Sequence, residues 1–284
     1  MLNYSTLENI SIETLHKTFV NAFSDYQIKI DIPLLKLQQM LKRMGYVSKA
    51  SVGAFENEEL IGFIFNGIRN WNGKLTSYDT GTAVIETYRK QGITSNMFKN
   101  TRQVLEEMGV EQYLLEVIET NTSAVTLYKK QGFKVLRDLE CFYLDKNEYN
   151  PITTYKVRQV NMITQNEWEE LREFWDIIPS WQNSIDSINA LADTFTYSFV
   201  YIDNTIVGYG VFDKKTGDIP QIAVNKNYRR KGIGRSIITD LINNAEGNKI
   251  SVLNVDCKSE AMKHFLHKLG FEHSVHQYEM ILEL

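Results

Sequence analysis

Val84 to Ser95 reads VIETYRKQGITS, and Val224 to Arg235 reads VNKNYRRKGIGR. In each stretch an apolar β-type run ends at the Val, a Tyr-Arg pair follows, and a Gly placed eight residues after the Val opens a helical pattern. The two are offset by 140 residues in a chain of 284. A strand, a basic turn and a helix repeated at that distance predict a duplicated fold.

The chemistry of such a turn follows from backbone geometry. The first turn of a helix has N–H groups without intrahelical partners, and the helix dipole adds positive potential at the same place. A Gly-containing turn that opens the helix therefore makes an anion site. Gly92, and Gly232 with Gly234, remove Cβ atoms where a phosphate must approach the backbone. Arg89, Lys90, Arg229, Arg230 and Lys231 place positive charge beside it.

Arg229, Gly232 and Gly234 resemble the Arg/Gln-x-x-Gly-x-Gly/Ala pyrophosphate loop of the GNAT superfamily of N-acetyltransferases. Arg89 and Gly92 match all but its last position, where Thr94 stands for Gly or Ala. In NTSAVTLYKKQGF, the residues Asn121, Ala124, Leu127, Tyr128, Gly132 and Phe133 are similar to the family's N-x-x-A-x-x-L-Y-x-x-x-G-F segment. The resemblance implies an acyl-CoA donor, usually acetyl-CoA, held in a splay between two parallel strands, with no metal and no covalent enzyme intermediate. It places the donor in the first half on Val84, Arg89, Lys90, Gln91, Gly92, Ile93, Thr94 and Ser95, with Asn121 beside the pantetheine arm or pyrophosphate. In the second half the corresponding residues are Val224, Arg229, Arg230, Lys231, Gly232, Ile233, Gly234 and Arg235.

Length and composition fit this outline. A chain of this size suits two domains, and 43% hydrophobic with 23% charged residues is ordinary for proteins that build buried cores. The net charge of −4 with neither half basic gives no nucleic-acid footprint. Cys141 and Cys257 fall one per half on β-type runs and read as buried small hydrophobes rather than a disulfide or metal pair. The start MLNYSTLENI has neither a basic nor an apolar leader region, and no run approaches the length of a membrane span, so a cytoplasmic protein is expected. The sequence leaves open whether it is a monomer or a homodimer.

Working outward from the first turn, Leu15, Phe19 and Phe23 recur at helical spacing, and Pro33 opens a second helix with Leu34, Leu37, Leu41 and Met44 on one face, stopped by Gly45. The link between them, Asp25 to Asp31, is expected by resemblance to overhang the acceptor site. Strand-like runs at 51–55, 60–68 and 75–84 are joined by short turns, one of them Asn72-Gly73. A helix from Ile93 to Met108 with Met97, Val104, Leu105 and Met108 inward, a strand from Tyr113 to Ile118, a helix from Ser123 to Gln131, and two strands around Phe133–Leu136 and Cys141–Leu144 complete the half. The strands ending at Val84 and Ile118 must run parallel across a helical crossover.

Asp145 to Thr154, polar and containing Pro151, reads as a linker, and the order then repeats. Thr164 and Glu167 form a capping box before Trp168. Strands at 195–202, 206–212 and up to Val224, the helix 233–245, the strand 250–255 and the helix 260–269 follow. The fold class expected is α+β (mixed α/β), two tandem GNAT-like domains at 1–146 and 155–284, each a mixed, mostly antiparallel twisted sheet with a parallel central pair and flanking helices.

Attack of an amine on a thioester needs a neutral nucleophile, a polarised carbonyl and a proton for the departing thiolate. Tyr128 supplies a phenol for the thiolate, and a backbone N–H near Val84 an oxyanion-type donor. For the base, Asp79, Glu116 and water alone all remain open. In the second half Ser259, Met262 and Leu266 stand where Asn121, Ala124 and Tyr128 stand in the first, so catalysis is expected in the first. The favoured reading is an N-acetyltransferase acting on a small-molecule amine. The alternative is a non-catalytic tandem CoA-binding or interaction module.

Overall fold

The computed structural model describes residues 1–25 and 32–284, so the expected acceptor-side link lies outside the described residues beyond Asp25. The chain forms two compact units, Met1–Leu136 together with Tyr278–Leu284, and Arg137–Gln277.

The first unit holds β1 (Leu2–Thr6), α1 (Ile12–Ala22), α2 (Leu34–Met44), β2 (Val52–Glu56), β3 (Glu59–Trp71), β4 (Lys74–Val84), α3 (Ile93–Glu107), β5 (Gln112–Ile118), α4 (Thr122–Lys130) and the start of β6 (Lys134–Asp145). Local chemistry sets most of these boundaries. Ser11 caps α1 by accepting the Thr14 N–H, and Gly45, at φ 76°, ends α2 in the left-handed conformation. Asn72 and Gly73 both have positive φ, 53° and 84°, as the two-residue β3–β4 hairpin requires. β3 is buried along nearly its whole length, which is why it reads as a continuous apolar run rather than an alternation.

The strand order in this unit is β1-β2-β3-β4-β5, with the Tyr278–Glu283 part of β12 (Glu272–Glu283) beyond β5. That last strand runs antiparallel to β5: Leu284 N–H bonds Glu111 O, and the Tyr278 hydroxyl donates to Glu119. β4 and β5 are the expected parallel pair, with α3 as crossover, and Phe63, Phe65, Met97, Leu105 and Tyr113 form the centre of the core.

Two local expectations need correction, and one strand was not expected. Met108 is 39% exposed, because α3 has ended and Met108 is its C-cap. The two runs at Phe133–Leu136 and Cys141–Leu144 are one twelve-residue strand, β6. Its middle carries Arg137, Asp138 and Glu140 at positions that are partly or fully exposed, while Leu139 between them is buried. β1 gave no signal, since its side chains are mostly exposed.

The second unit holds the rest of β6, then β7 (Val157–Val160), α5 (Gln165–Arg172), α6 (Ile185–Asn189), β8 (Thr196–Ile202), β9 (Thr205–Phe212), β10 (Gln221–Val224), α7 (Ile233–Asn243), β11 (Lys249–Asp256), α8 (Glu260–Lys268) and β12 up to Gln277. The Thr164–Glu167 capping box is formed as expected. One sheet runs β10-β9-β8-β7, and β6 lies between β11 and β12. β10 and β11 belong to different sheets, and just before β10 the parallel bridge Asp218–Ser251 ties the two segments.

Candidate active site

β4 and β5 pair in parallel over three residues, Thr76–Tyr78 against Gln112–Leu114, and the pairing stops there although β4 continues to Val84 and β5 to Ile118. The cause lies in β4. Against β3, Phe65 pairs with Gly81 but Asn66 with Asp79, so Thr80 is an extra residue and the strand bends away at a bulge. Asp79 secures the bend: its Oδ1 accepts the Gly81 N–H at 2.9 Å and its Oδ2 the Thr82 hydroxyl at 2.7 Å. Burial pushes its carboxyl up to about 6, in spite of those two bonds, which favour the charged form. The result is a wedge-shaped gap whose β4 wall, Thr80 to Ala83, is partly exposed in the middle of a sheet.

The end of β4 turns the N–H and C=O of one residue toward the gap. Ile85 N–H donates to Ile61 O, toward β3, so strand alternation turns the N–H and C=O of Val84 to the other side, where β5 has left. The chain then makes a short 3-10 turn, Glu86–Tyr88, and enters α3 through Lys90 and Gly92, both at positive φ (63° and 77°). Among the described residues, a Cβ on Gly92 would meet nothing within 4 Å. Among the described residues no side chain caps α3, so the amides of its first turn, Ile93 to Ser95, face outward unsatisfied by the helix. Ile93 is buried and anchors that turn to the core, while Lys90, Gln91 and Ser95 are exposed and Thr94 half-buried. This is a concave set of backbone donors of the kind that holds phosphate.

The other expected residues divide by face. Ser77 pairs with Tyr113 and Tyr78 with Leu114, so Asp79 shares a face with Tyr113, and Glu116 shares the opposite face with Tyr78. On the first face Tyr113 donates to Asn66 at 2.6 Å, and its own ionisation is opposed by burial and then by Asp79 and Tyr128 nearby. Tyr128, on α4, is half-buried with its ring edge-on to Phe98 and Phe133. On the second face burial, then the charges of Glu116 and Glu279, push the Tyr78 phenol up, and Tyr78 hydrogen-bonds Glu116. Asn121 caps α4, its Oδ1 accepting from Ala124 N–H and the Ser123 hydroxyl. Asn66, Tyr113, Tyr78 and Glu279 escaped the sequence reading, because their meeting depends on pairings between distant segments.

Arg89 is turned back onto the chain. Its Nε donates to Val84 O at 2.9 Å, Nη2 to Ala22 O at 2.7 Å and to Asp25 Oδ1 at 2.8 Å, and Nη1 to Asp25 Oδ2. Arg229 repeats this in the second unit, with Nε to Val224 O, Nη1 to Asp176 and Nη2 to Phe174 O at 3.0, 2.7 and 2.8 Å. Arg230 and Gly232 also repeat the positive φ of Lys90 and Gly92, at 64° and 91°.

The second gap is filled. Asn183 bridges its walls: its Nδ2 donates to Leu253 O at 2.8 Å on β11, and its carbonyl accepts from Gln221 Nε2 at 2.6 Å on β10. The ring of Phe265 lies 3.1 Å from where a Cβ on Gly234 would be, and 3.6 Å separates that point from Val224. Thr154 sits 3.2 Å from the Cβ position of Gly232, held there by Ser236, which accepts the N–H groups of Thr154 and Tyr155. Lys231 lies over the Tyr228 ring, Ile233 is buried, and Arg235 is half-buried with its Nε out of solvent. Leu266, in the place of Tyr128, is fully buried.

Among the described residues, no group of three or more His, Cys, Asp or Glu side chains is placed to hold a metal ion, and no helix is long and apolar enough to cross a membrane.

A family model described as Acetyltransferase (GNAT) family matches the chain twice, at residues 13–133 and 160–271. An N-alpha-acetyltransferase of Sulfurisphaera tokodaii is 38% identical over 64 residues, 22% of this chain and 38% of that protein. N-alpha-acetyltransferase 30 of Dictyostelium discoideum is 32% identical over 90 residues, 32% of this chain and 49% of its own length. The chain thus spans less than half of these relatives. A tandem GNAT protein from the clavulanic acid biosynthesis pathway superposes with a TM-score of 0.77 over 100% of this chain and 98% of its own, at 11% identity, a likeness of fold. A GCN5-related N-acetyltransferase from Sphaerobacter thermophilus follows at 0.72, 13% identity, and coverage of 99% and 95%.

Proposed function

The chain belongs to the GNAT acetyltransferase family, and from that premise we propose that its first unit transfers an acetyl group from acetyl-CoA to a primary amine by direct attack, in the cytoplasm. The observation that carries this reading is the unpaired stretch of β4 and β5 beyond Tyr78 and Leu114, which ends at an uncapped helix N-terminus with open space over Gly92. Acetyl-CoA supplies the activated thioester. The amides from Gly92 to Ser95 hold its diphosphate, with Lys90 and Gln91 at the rim. The wedge takes the pantetheine arm alongside Asn121, and the Val84 N–H polarises the carbonyl.

Acid and base fall on opposite faces of the gap. Glu116 receives the amine proton, because both oxygens of Asp79 are engaged in the bulge that opens the wedge. Tyr128 gives its phenolic proton to the departing thiolate from the other face. The amine thus approaches from one side of the sheet and the thiol leaves on the other. The second unit, with its wedge closed by Asn183 and Phe265, has a structural role, which includes carrying the chain to the strand Tyr278–Glu283 beside β5.

The test is release of CoA thiol over an amine panel. Peptides with a free α-amine belong in it, since the relatives above are named N-alpha-acetyltransferases. Tyr128→Phe should lower kcat by about 100-fold and leave acetyl-CoA affinity within twofold. Tight acetyl-CoA binding with no turnover on any amine would favour a tandem binding module instead.

A further inference from the structure

We infer that Arg89 and Asp25 are positioning residues that hold the Val84 carbonyl at the end of β4, so that the N–H of the same residue faces the thioester, and that the Arg89 guanidinium is not a ligand of the diphosphate. The inference rests on the acetyl-CoA reading above and assigns a residue within it. A guanidinium has five N–H donors. Among the described residues those of Arg89 make four hydrogen bonds: one to Val84 O, one to Ala22 O and a two-point fork to Asp25. Little donor capacity is left for a phosphate, and the amides of the α3 turn meet that need without it.

What Arg89 does can be read from the strand it touches. When β5 leaves β4, the C=O and N–H of Val84 both lose the neighbour that a paired strand would have given them. Arg89 Nε satisfies the carbonyl at 2.9 Å, while Ile85 N–H is tied to Ile61 O on the other side at 2.9 Å. The peptide between Val84 and Ile85 is thus held from both sides, which fixes the end of β4, and the Val84 N–H, on the preceding peptide, is directed into the gap. Asp25 and the carbonyl of Ala22, in the last turn of α1, fix the guanidinium in turn; a cation there also complements the helix dipole. The same three-way tie recurs at Arg229, with Val224 O, Phe174 O and Asp176, beside a wedge that side chains fill. An arrangement that persists where the wedge is closed belongs to the strand end and not to a bound anion.

Two variants and two probes test this. Arg89→Lys keeps the charge but cannot span three acceptors, and Asp25→Asn keeps Arg89 but removes half of the fork. The probes are acetyl-CoA and S-acetylpantetheine, which has the thioester and the arm but no diphosphate. Both variants should weaken both probes by the same factor, about tenfold, the cost of one charge-assisted hydrogen bond. The ratio of the two dissociation constants should therefore stay within twofold of the wild type. The infrared carbonyl stretch of bound acetyl-CoA should move back toward its position in water in both variants. Selective loss of acetyl-CoA in Arg89→Lys would make Arg89 a diphosphate ligand and overturn the inference. An Asp25→Asn protein with unchanged affinities and carbonyl stretch would overturn it as well. A wild-type protein that binds neither probe would overturn the acetyl-CoA reading and this inference together, an outcome distinct from the other two.

Discussion

Replacing Asp79 by Asn should stabilise the protein at neutral pH, and by an amount that depends on pH. Asp79 is 8% exposed and its carboxyl is raised from 3.8 to about 6, with burial as the leading cause. A raised carboxyl binds its proton more tightly in the folded state, so ionisation opposes folding. The penalty is complete above about pH 6, shrinks as pH falls toward 4, and vanishes below the unfolded value. A rise from 3.8 to about 6 corresponds to roughly 3 kcal/mol at pH 8, and the same linkage leaves about half of that at pH 5. Asn retains an oxygen for the Gly81 N–H, and the Thr82 hydroxyl can turn to accept from the amide, so the bulge keeps its bonds. Urea unfolding of wild type and variant at pH 5 and pH 8 measures the difference, and other titrating groups cancel in the comparison. Asp79→Asn should gain up to about 3 kcal/mol at pH 8 and about half of that at pH 5. An equal gain or loss at both pH values would mean that Asp79 carries the same charge throughout, and the desolvation reasoning would fail.

Acetyl-CoA should titrate with one site per chain by calorimetry: Gly92→Val, which puts a β-branched residue at φ 77° in the cradle, should abolish that site, while Gly232→Val should leave the stoichiometry and affinity unchanged. Asn183→Ala should cost about 1–3 kcal/mol in thermal or urea unfolding of the second unit, because it strips Leu253 O of its donor inside a filled gap. Glu116→Gln should lower kcat/KM and remove the acidic limb of its pH profile, whereas Asp79→Asn should keep that limb; the reverse pattern would move the base to Asp79.

Much of the fold was legible because its determinants are local. The Asn72-Gly73 hairpin, the Gly45 stop, the Thr164–Glu167 capping box and the two Gly-led helix starts depend on residues a few positions apart. The misreadings came where context outweighed pattern. β6 reads in sequence as two separate runs with charged residues between them, and its continuity comes from pairing with β11, more than a hundred residues away. In the site, the turn at Gly92 was readable from its residue types, but the direction of Arg89 was not. A basic residue beside an anion cradle looks the same in sequence whether it reaches out to a ligand or back to Val84 O and Asp25. Asp79 was noticed as a carboxylate in a strand; that it braces a bulge at Thr80 required the register of β3.

By itself, then, the sequence determined the duplicated strand, turn and helix, the parallel pair flanked by antiparallel strands, and the chemistry of backbone amides at two helix starts. Tertiary structure alone decided which of the two gaps is open, that the last residues, Tyr278 to Leu284, belong with the first unit, and that Glu116 lies on the face of β5 opposite to the one that carries Tyr113, which Tyr128 neighbours. The physical reason is range. Turn chemistry and helix starts are decided within a few residues, whereas filling a gap with Asn183 or bringing Glu279 beside Tyr78 is settled by packing between segments far apart in the chain.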